Sequence, residues 1–172
     1  FYGIPFAQPP VGDLRFREPL PAEPWDGVFE AEGLPTSCVQ GIGGLIWLTH
    51  PGYRDHDEDC LTLNVFTPED MDPENPYPVM VWFYGGAFTG GTTIQYPGHF
   101  LATRDVIIVA SNYRVGIFGF ASTDDDAARG NWGLHDQRLA LEWVQENIEA
   151  FGGDPNSVTL FGQSAGGASS SH

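Results

Sequence analysis

The chain has 172 residues, of which 41% are hydrophobic and 13% aromatic, and none of its apolar stretches is long enough to span a membrane. Its formal net charge is −16, from 23 acidic residues and 7 basic residues that are all arginine. Such acidity repels a phosphate backbone and excludes nucleic acid as an expected partner. The charge serves either to solvate the surface or to disfavour anionic substrates, and composition does not choose between these functions.

The two ends of the chain do not look like the ends of a finished domain. The chain begins with Phe1 rather than Met, and residues 165–172 are small and polar with no closing element. We therefore expect residues 1–172 to be one part of a single larger domain that is incomplete at both ends, and they define no oligomeric state.

The first feature in chain order is a loop between the two cysteines, Cys38 and Cys60, which is rich in Gly, Pro, His and charged residues. These cysteines either form a disulfide that closes the loop or remain as two buried thiols. The disulfide would stabilise the fold by about 3 kcal/mol and would indicate an oxidising compartment.

Three strands are predicted downstream of this loop. Residues 61–67 alternate apolar and polar, as in a strand with one wetter face. Residues 79–84 and 106–110 are continuously apolar and rich in β-branched or aromatic side chains. That pattern is typical of strands buried on both faces of a parallel sheet.

A long helix and a last strand follow. The apolar positions Leu134, Leu141, Val144, Ile148 and Phe151 have helical spacing, and two glycines follow them as a helix stop. After a turn at 154–155, residues 157–161 predict a short buried strand. The pattern favours an α/β fold: a mostly parallel, helix-covered sheet with an antiparallel meander on the N-terminal side.

The strongest chemical signal follows that last strand, where residues 162–166 fit the pattern G-x-S-x-G around Ser164. A serine on a sharp strand-to-helix turn needs small residues two positions away on each side. Such a turn exposes the hydroxyl and places the amide of Ala165 where it can donate to an oxyanion. The pattern alone also fits an incidental serine in a glycine-rich turn, so the preceding strand carries the prediction of a nucleophile.

A second glycine cluster, residues 84–91, follows the predicted strand 79–84. Glycines let backbone amides approach a substrate, and acyl transfer needs more than one amide at the same oxygen. Gly86 and Ala87 are therefore expected to join Ala165 as oxyanion donors. A purely structural turn is the alternative, whereas a phosphate-binding loop is disfavoured because no phosphate-loop pattern is met and the chain has no lysine.

The sequence supplies no general base for Ser164. In a G-x-S-x-G hydrolase the acid and the histidine follow the serine, and His172 would lie about 12 Å along the next helix. We therefore expect residues 1–172 alone to be inactive. The five histidines are scattered, and His50, His56, Asp55, Asp57 and Asp59 resemble a charged loop, so no metal site and no cofactor are predicted.

Six stretches, in this order, resemble the type-B carboxylesterase and cholinesterase family: YGIPFAQPPVGDLRF at 2–16, EDCLTLNV at 58–65, VWFYGGAFTGG at 81–91, NYRVGIFGF at 112–120, GNWGLHDQRLALEWVQENI at 130–148 and FGGDPNSVTLFGQSAGGAS at 151–169. The resemblance implies an α/β-hydrolase fold and a serine hydrolase that acts on small carboxylic esters through an acyl-enzyme. It implies Ser164 as the nucleophile, with Gly86, Ala87 and Ala165 as oxyanion donors. The family's acid and histidine would lie past His172.

The resemblance also implies a structural framework, consisting of the disulfide Cys38–Cys60 and the ion pairs Arg15–Glu58 and Arg114–Asp136. This disulfide is typical of secreted or ER-lumen members of the family.

Four positions bear on the substrate or depart from the family pattern. Tyr84 stands where many members have His, Ala87 stands for a glycine, and Gln163 replaces the more frequent Glu, as in insect juvenile-hormone esterases among others. Cholinesterases have a choline-binding Trp in this cysteine loop; Trp47 lies in the loop but nearer the first cysteine than in that pattern, and it suggests a cation site.

Two alternatives come from other functional classes. A non-catalytic, cholinesterase-like adhesion or binding module would keep the fold without a complete set of catalytic residues. A nucleotide-binding α/β domain is disfavoured by the unmatched phosphate-loop patterns.

Overall fold

The computed structural model describes residues 1–41, 56–70 and 74–172. The strands are β1 Ile4–Pro5, β2 Ser37–Cys38, β3 His56–Asp57, β4 Thr62–Phe66, β5 Tyr77–Phe83, β6 Ile107–Ser111 and β7 Gly153–Gly162. The α-helices are α1 His99–Ala102, α2 Gly116–Phe120, α3 Trp132–Asn147 and α4 Ala165–Ser169. In these described ranges, 3₁₀ helices cover Gly12–Leu14, Thr93–Gln95 and Ile148–Phe151.

The main sheet is mixed and has the strand order β1-β4-β6-β5-β7. β5 pairs in parallel with both β6 and β7, whereas β4 pairs antiparallel with β1 and β6. The parallel half and the helices agree with the predicted α/β class. The predicted meander is not confirmed, because β4 pairs with β6 rather than with β5, its successor in this sheet.

The centre of the sheet is β6, whose five residues are all buried. It lies between β4 and β5, so both of its edges and both of its faces are covered, as its continuous apolar run predicts. The prediction of a wetter face on β4 is wrong. Asn64 on that face is 1% exposed, and its Oδ1 accepts a hydrogen bond of 3.0 Å from the amide of Gly3.

The strand β7 differs most from its prediction as a short, buried strand. It extends over ten residues and is mostly half-buried or exposed, with Leu160 37% exposed. The reason is its place at the edge of the described sheet, where it pairs with β5 alone. The predicted turn at 154–155 is a bulge in β7. Tyr77 pairs with Gly153 and Val79 pairs with Val158, so β7 has more residues between these two pairs than β5 has.

The predicted long helix is α3, which continues into the 3₁₀ helix Ile148–Phe151. Val144 and Ile148 are fully buried, while Leu134, Leu141 and Phe151 are half-buried. Gly152 ends the helical segment with φ 79°, the left-handed conformation that glycine adopts without a steric penalty.

The cation site suggested at Trp47, and the charged residues His50 and Asp55, lie outside the described residues. His56 and Asp57 form β3, which pairs in parallel with β2.

Candidate active site

Ser164 lies on the turn between β7, which ends at Gly162, and α4, which begins at Ala165. Its φ of 54° and ψ of −122° are a conformation that side-chain-bearing residues rarely adopt. Such strain costs about 1 to 3 kcal/mol and persists only where the surrounding structure enforces it. The residue is exposed, and its hydroxyl makes no hydrogen bond to any described residue.

The glycines two positions on each side of Ser164 are required by close packing. A Cβ on Gly162 would lie 2.5 Å from the carbonyl carbon of Gly166. A Cβ on Gly166 would collide with the carbonyl oxygen of Phe83, the last residue of β5. The two ends of the turn, Gly162 and Gly166, therefore pack against each other, and Gly166 also packs against the end of β5.

The glycine loop after β5 reaches this turn directly. A Cβ on Gly85 would lie 2.9 Å from the Cβ of Ser164 and 2.5 Å from Oε1 of Gln163. The contact follows from topology, since β5 and β7 are parallel neighbours and their carboxyl ends lie at the same edge of the sheet. Two segments almost 80 residues apart thus form one site.

The loop has a tight backbone conformation. Gly86 has φ 131°, and Ala87 and Phe88 follow with φ 53° and 59°. The carbonyl oxygen of Gly86 accepts hydrogen bonds from the amides of Thr89 (2.9 Å) and Gly90 (3.3 Å) and from the Thr89 hydroxyl (3.0 Å). These bonds hold the Gly86 carbonyl inside the loop.

The backbone amides of the predicted oxyanion donors have no acceptor among the described residues. Within the described ranges, the N–H groups of Gly86, Ala87 and Ala165 donate no hydrogen bond. Gly86 and Ala87 are exposed, so their amides are open to a ligand. These are the residues predicted to donate to an oxyanion.

Two stacked tyrosines hold the start of the loop, with ring centroids 4.5 Å apart. The Tyr84 hydroxyl donates to the carbonyl of Tyr113 (3.0 Å) and accepts from its amide (3.3 Å), while the Tyr113 hydroxyl donates to the carbonyl of Tyr84 (2.6 Å). Burial raises the pKa of both hydroxyls, which keeps them as neutral donors.

Gln40 holds the end of the loop, and no sequence pattern predicts this role. Its Nε2 donates to the carbonyl of Gly91 (2.8 Å), and its Oε1 accepts from the amide of the same residue (2.8 Å). The middle of the loop has a third anchor, a hydrogen bond of 2.7 Å from the amide of Gly116 to the carbonyl of Phe88.

A cavity of about 670 Å³ opens beside the loop and the turn. Its lining includes Gln40, Tyr96, Phe118, Gln163 and loop glycines, and no described side chain of this lining is charged. Its size is in the range of small-molecule sites.

No described histidine lies in this cavity. His172, the histidine nearest to Ser164 in the chain, lines a separate cavity of about 480 Å³ together with His135 and Leu134. No described histidine or carboxylate forms a hydrogen bond with the Ser164 hydroxyl.

The predicted framework residues lie close to one another. Cys38 and Cys60 form a disulfide and are each 1% exposed. Arg15 and Glu58 are paired through two hydrogen bonds of 2.5 Å, and the bond and charge of Glu58 raise the pKa of Arg15.

The second ion pair is buried. The Arg114 guanidinium donates to both carboxylate oxygens of Asp136, at 2.8 and 2.7 Å, and the Arg114 amide donates at 2.9 Å. Burial raises the pKa of Asp136, against the opposing hydrogen bonds and charge of Arg114. The pair joins the segment that follows β6 to α3.

The described residues contain neither a candidate metal-binding cluster nor a candidate membrane-spanning helix. Over 1–41, 56–70 and 74–172, no three or more His, Cys, Asp or Glu side chains form a group that could hold a metal ion. No helix in these ranges is both long enough and apolar enough to cross a membrane.

Comparison with known proteins identifies the chain's relatives. It is 49% identical to pyrethroid hydrolase Ces2e of Rattus norvegicus over all of its length and 32% of the relative's. It is 49% identical to carboxylesterase 5A of Homo sapiens, over 98% of this chain and 30% of the relative. With the medium-chain fatty acyl-CoA hydrolase precursor of Anas platyrhynchos it shares 48% identity, over 98% of this chain and 32% of the relative.

The chain thus spans about a third of the length of the curated relatives that it matches. The sequence profile of the carboxylesterase family matches residues 1–172, and the mixed sheet with its helices is consistent with the α/β-hydrolase fold that this family implies. The chain belongs to the carboxylesterase family.

Proposed function

We propose that residues 1–172 are the N-terminal part of one α/β-hydrolase domain that hydrolyses carboxylic esters, and that Ser164 is its nucleophile. The observation that carries the proposal is the set of unpaired amides beside an exposed serine on a strained turn. Family membership supports the same reaction class.

In the proposed reaction the Ser164 oxygen attacks the ester carbonyl and forms a tetrahedral intermediate. The amides of Gly86, Ala87 and Ala165 hold the negative oxygen, because it gains charge at the position to which free amides donate. The C–O bond to the alcohol then breaks, the alcohol leaves with a proton, and the acyl-enzyme remains. Water attacks the acyl carbonyl, releases the acid and restores the serine.

The base that takes the Ser164 proton lies, in this proposal, outside residues 1–172. Two observations support this. The described lining of the cavity beside Ser164 contains no His, Asp or Glu, and the matched relatives are about three times as long as this chain. In G-x-S-x-G hydrolases the acid and the histidine follow the serine.

The substrate we propose is a small carboxylic ester. The described lining of the 670 Å³ cavity is uncharged and favours a neutral molecule, because a charged group buried against these residues would be unpaired. The disulfide Cys38–Cys60 supports an oxidising compartment, so we propose that the protein is secreted or resides in the ER lumen.

A second candidate function is a non-catalytic, cholinesterase-like binding module. The absence of a described histidine beside Ser164 is the observation that favours it. Such a protein would keep the fold and bind a partner without forming an acyl-enzyme.

A burst experiment on the complete protein separates the two candidates. The wild type should release one equivalent of p-nitrophenol rapidly from a p-nitrophenyl ester and should be labelled by a fluorophosphonate. Ser164→Ala should lose both signals, because no other described serine combines exposure with this strained turn.

The matched control is Ser171→Ala, since Ser171 is also exposed and lies just beyond α4. It should keep the burst and the labelling. A normal burst in the Ser164 variant would contradict the assignment, and a wild type that shows neither turnover nor labelling would favour the binding module.

A further inference from the structure

We propose that Gln40 is a positioning residue of the oxyanion hole, which fixes the glycine loop 85–91 to the disulfide Cys38–Cys60. The inference rests on the proposed esterase function. Gln40 acts through the loop backbone, and none of its hydrogen bonds is to Ser164 or to an amide assigned to the oxyanion.

The side-chain amide of Gln40 uses both of its ends. Nε2 donates to the carbonyl of Gly91 at 2.8 Å, and Oε1 accepts from the Gly91 amide at 2.8 Å. Two parallel bonds to one residue fix its orientation as well as its position, as a neighbouring strand would. Nε2 also donates to the carbonyl of Cys38 at 3.0 Å, so the same amide is held from the other side.

The link between the disulfide and the glycine loop begins at a rigid point, Cys38. Cys38 is 1% exposed and is joined to Cys60, which also lies in the hydrophobic core. Gln40 lies only two residues beyond Cys38, so its position is defined by the disulfide. The connection therefore runs from the core, through Gln40, to the end of the glycine loop.

Packing transmits the position of Gly91 to the amides near Ser164. A Cβ on Gly91 would collide with the ring of Tyr84, and one on Gly90 would lie 2.8 Å from Oε1 of Gln40, so neither residue has room to shift. The amide of Gly90 donates to the carbonyl of Gly86, across the loop. Displacing the end of the loop therefore moves the peptide unit that carries the Ala87 amide.

Loss of the Gln40 hydrogen bonds is expected to lower kcat much more than it changes KM. A small displacement of an oxyanion donor lowers transition-state stabilisation much more than it lowers substrate binding. Gln40→Met keeps the length of the side chain and removes all three hydrogen bonds. We expect kcat for a neutral p-nitrophenyl ester to fall about 10- to 100-fold and KM to change less than about threefold.

The Ki of a trifluoromethyl ketone is a quantity that a purely structural role of Gln40 would not change. The ketone adds reversibly to the serine and forms a tetrahedral oxyanion, so its Ki should rise by the same factor by which kcat falls. The matched control is Gln145→Met, because Gln145 on α3 also donates from Nε2 to a backbone carbonyl, that of Pro155 (2.9 Å), away from the loop. This control should keep the wild-type kcat and Ki.

All variants are made in the complete protein, with thermal unfolding as the check on folding. Gln40→Asn provides a second variant should the methionine variant aggregate; it keeps the amide, shortens its reach by one methylene, and should also raise the ketone Ki. The inference is overturned if both variants keep the wild-type Ki, or if KM rises by the same factor as Ki. A persistent burst in Ser164→Ala would instead overturn the proposed function, so the two failures are distinguishable.

Discussion

At the scale of single residues, the site depends on backbone conformations that only small side chains permit. Gly166 allows the turn to touch the carbonyl of Phe83, and Gly85 allows the loop to touch Ser164. Ser164 and Ala87 adopt positive φ although they are not glycines. Such strained conformations persist only where the surrounding packing enforces them.

The buried pair Arg114–Asp136 gives a prediction at this scale. Asp136→Asn removes the charge that compensates Arg114, which is 3% exposed. We expect the free energy of unfolding to fall by about 3 to 5 kcal/mol, because an unpaired charge stays buried. Urea unfolding measures the change.

The control for this prediction lies on the same helix. Glu142→Gln makes the same carboxylate-to-amide change in the exposed pair Arg138–Glu142, and it should leave stability almost unchanged. Equal losses in the two variants would contradict the role assigned to the buried pair.

At the scale of elements, the order of the strands brings the site together. β5 and β7 are parallel neighbours, so the loop after β5 and the turn after β7 meet at one edge of the sheet. Their contact leaves no space for an additional methyl group at Gly85.

Gly85→Ala tests this contact. The new methyl group would press on Gln163 and Ser164, so the loop and the turn must separate, and kcat should fall at least about tenfold. The measurement is steady-state hydrolysis of a p-nitrophenyl ester by the complete protein.

Gly41→Ala is the matched control, because no described atom lies within 4 Å of a Cβ at Gly41 although this residue also lines the cavity. It should keep the wild-type kcat. Full activity of the Gly85 variant would show that the loop and the turn do not need this contact.

At the scale of the whole molecule, the disulfide links the N-terminal segment to the start of β4. Cys38 and Cys60 are 22 positions apart, and both belong to the same hydrophobic core as β5 and β6. The disulfide therefore constrains the unfolded chain and anchors Gln40 in the folded one.

Removing the disulfide should destabilise the protein. For the variant with both Cys38→Ser and Cys60→Ser, we expect the free energy of unfolding to fall by about 3 kcal/mol, from the larger entropy of the open loop. Denaturant unfolding with and without a reductant measures this effect. Reductant should destabilise the wild type to a similar extent and leave the double variant unchanged, whereas a wild type indifferent to reduction would contradict the prediction.

The sequence alone determined the features whose cause is local. Continuous β-branched residues predict β6, the glycine pair at 152–153 predicts the end of the α3 segment, and G-x-S-x-G after a strand predicts the turn at Ser164. These predictions succeed because φ, ψ and side-chain size are properties of a few neighbouring residues.

Only the tertiary structure decided which distant groups meet. The sequence predicted a buried β7 and a wetter face on β4, but burial depends on the neighbours that each strand acquires in the sheet. Gln40 carried no signal, because a lone glutamine gains its role only when folding places Gly91 against it. Local residues set the conformation of each turn, whereas non-local pairing and packing decide which turns form one site.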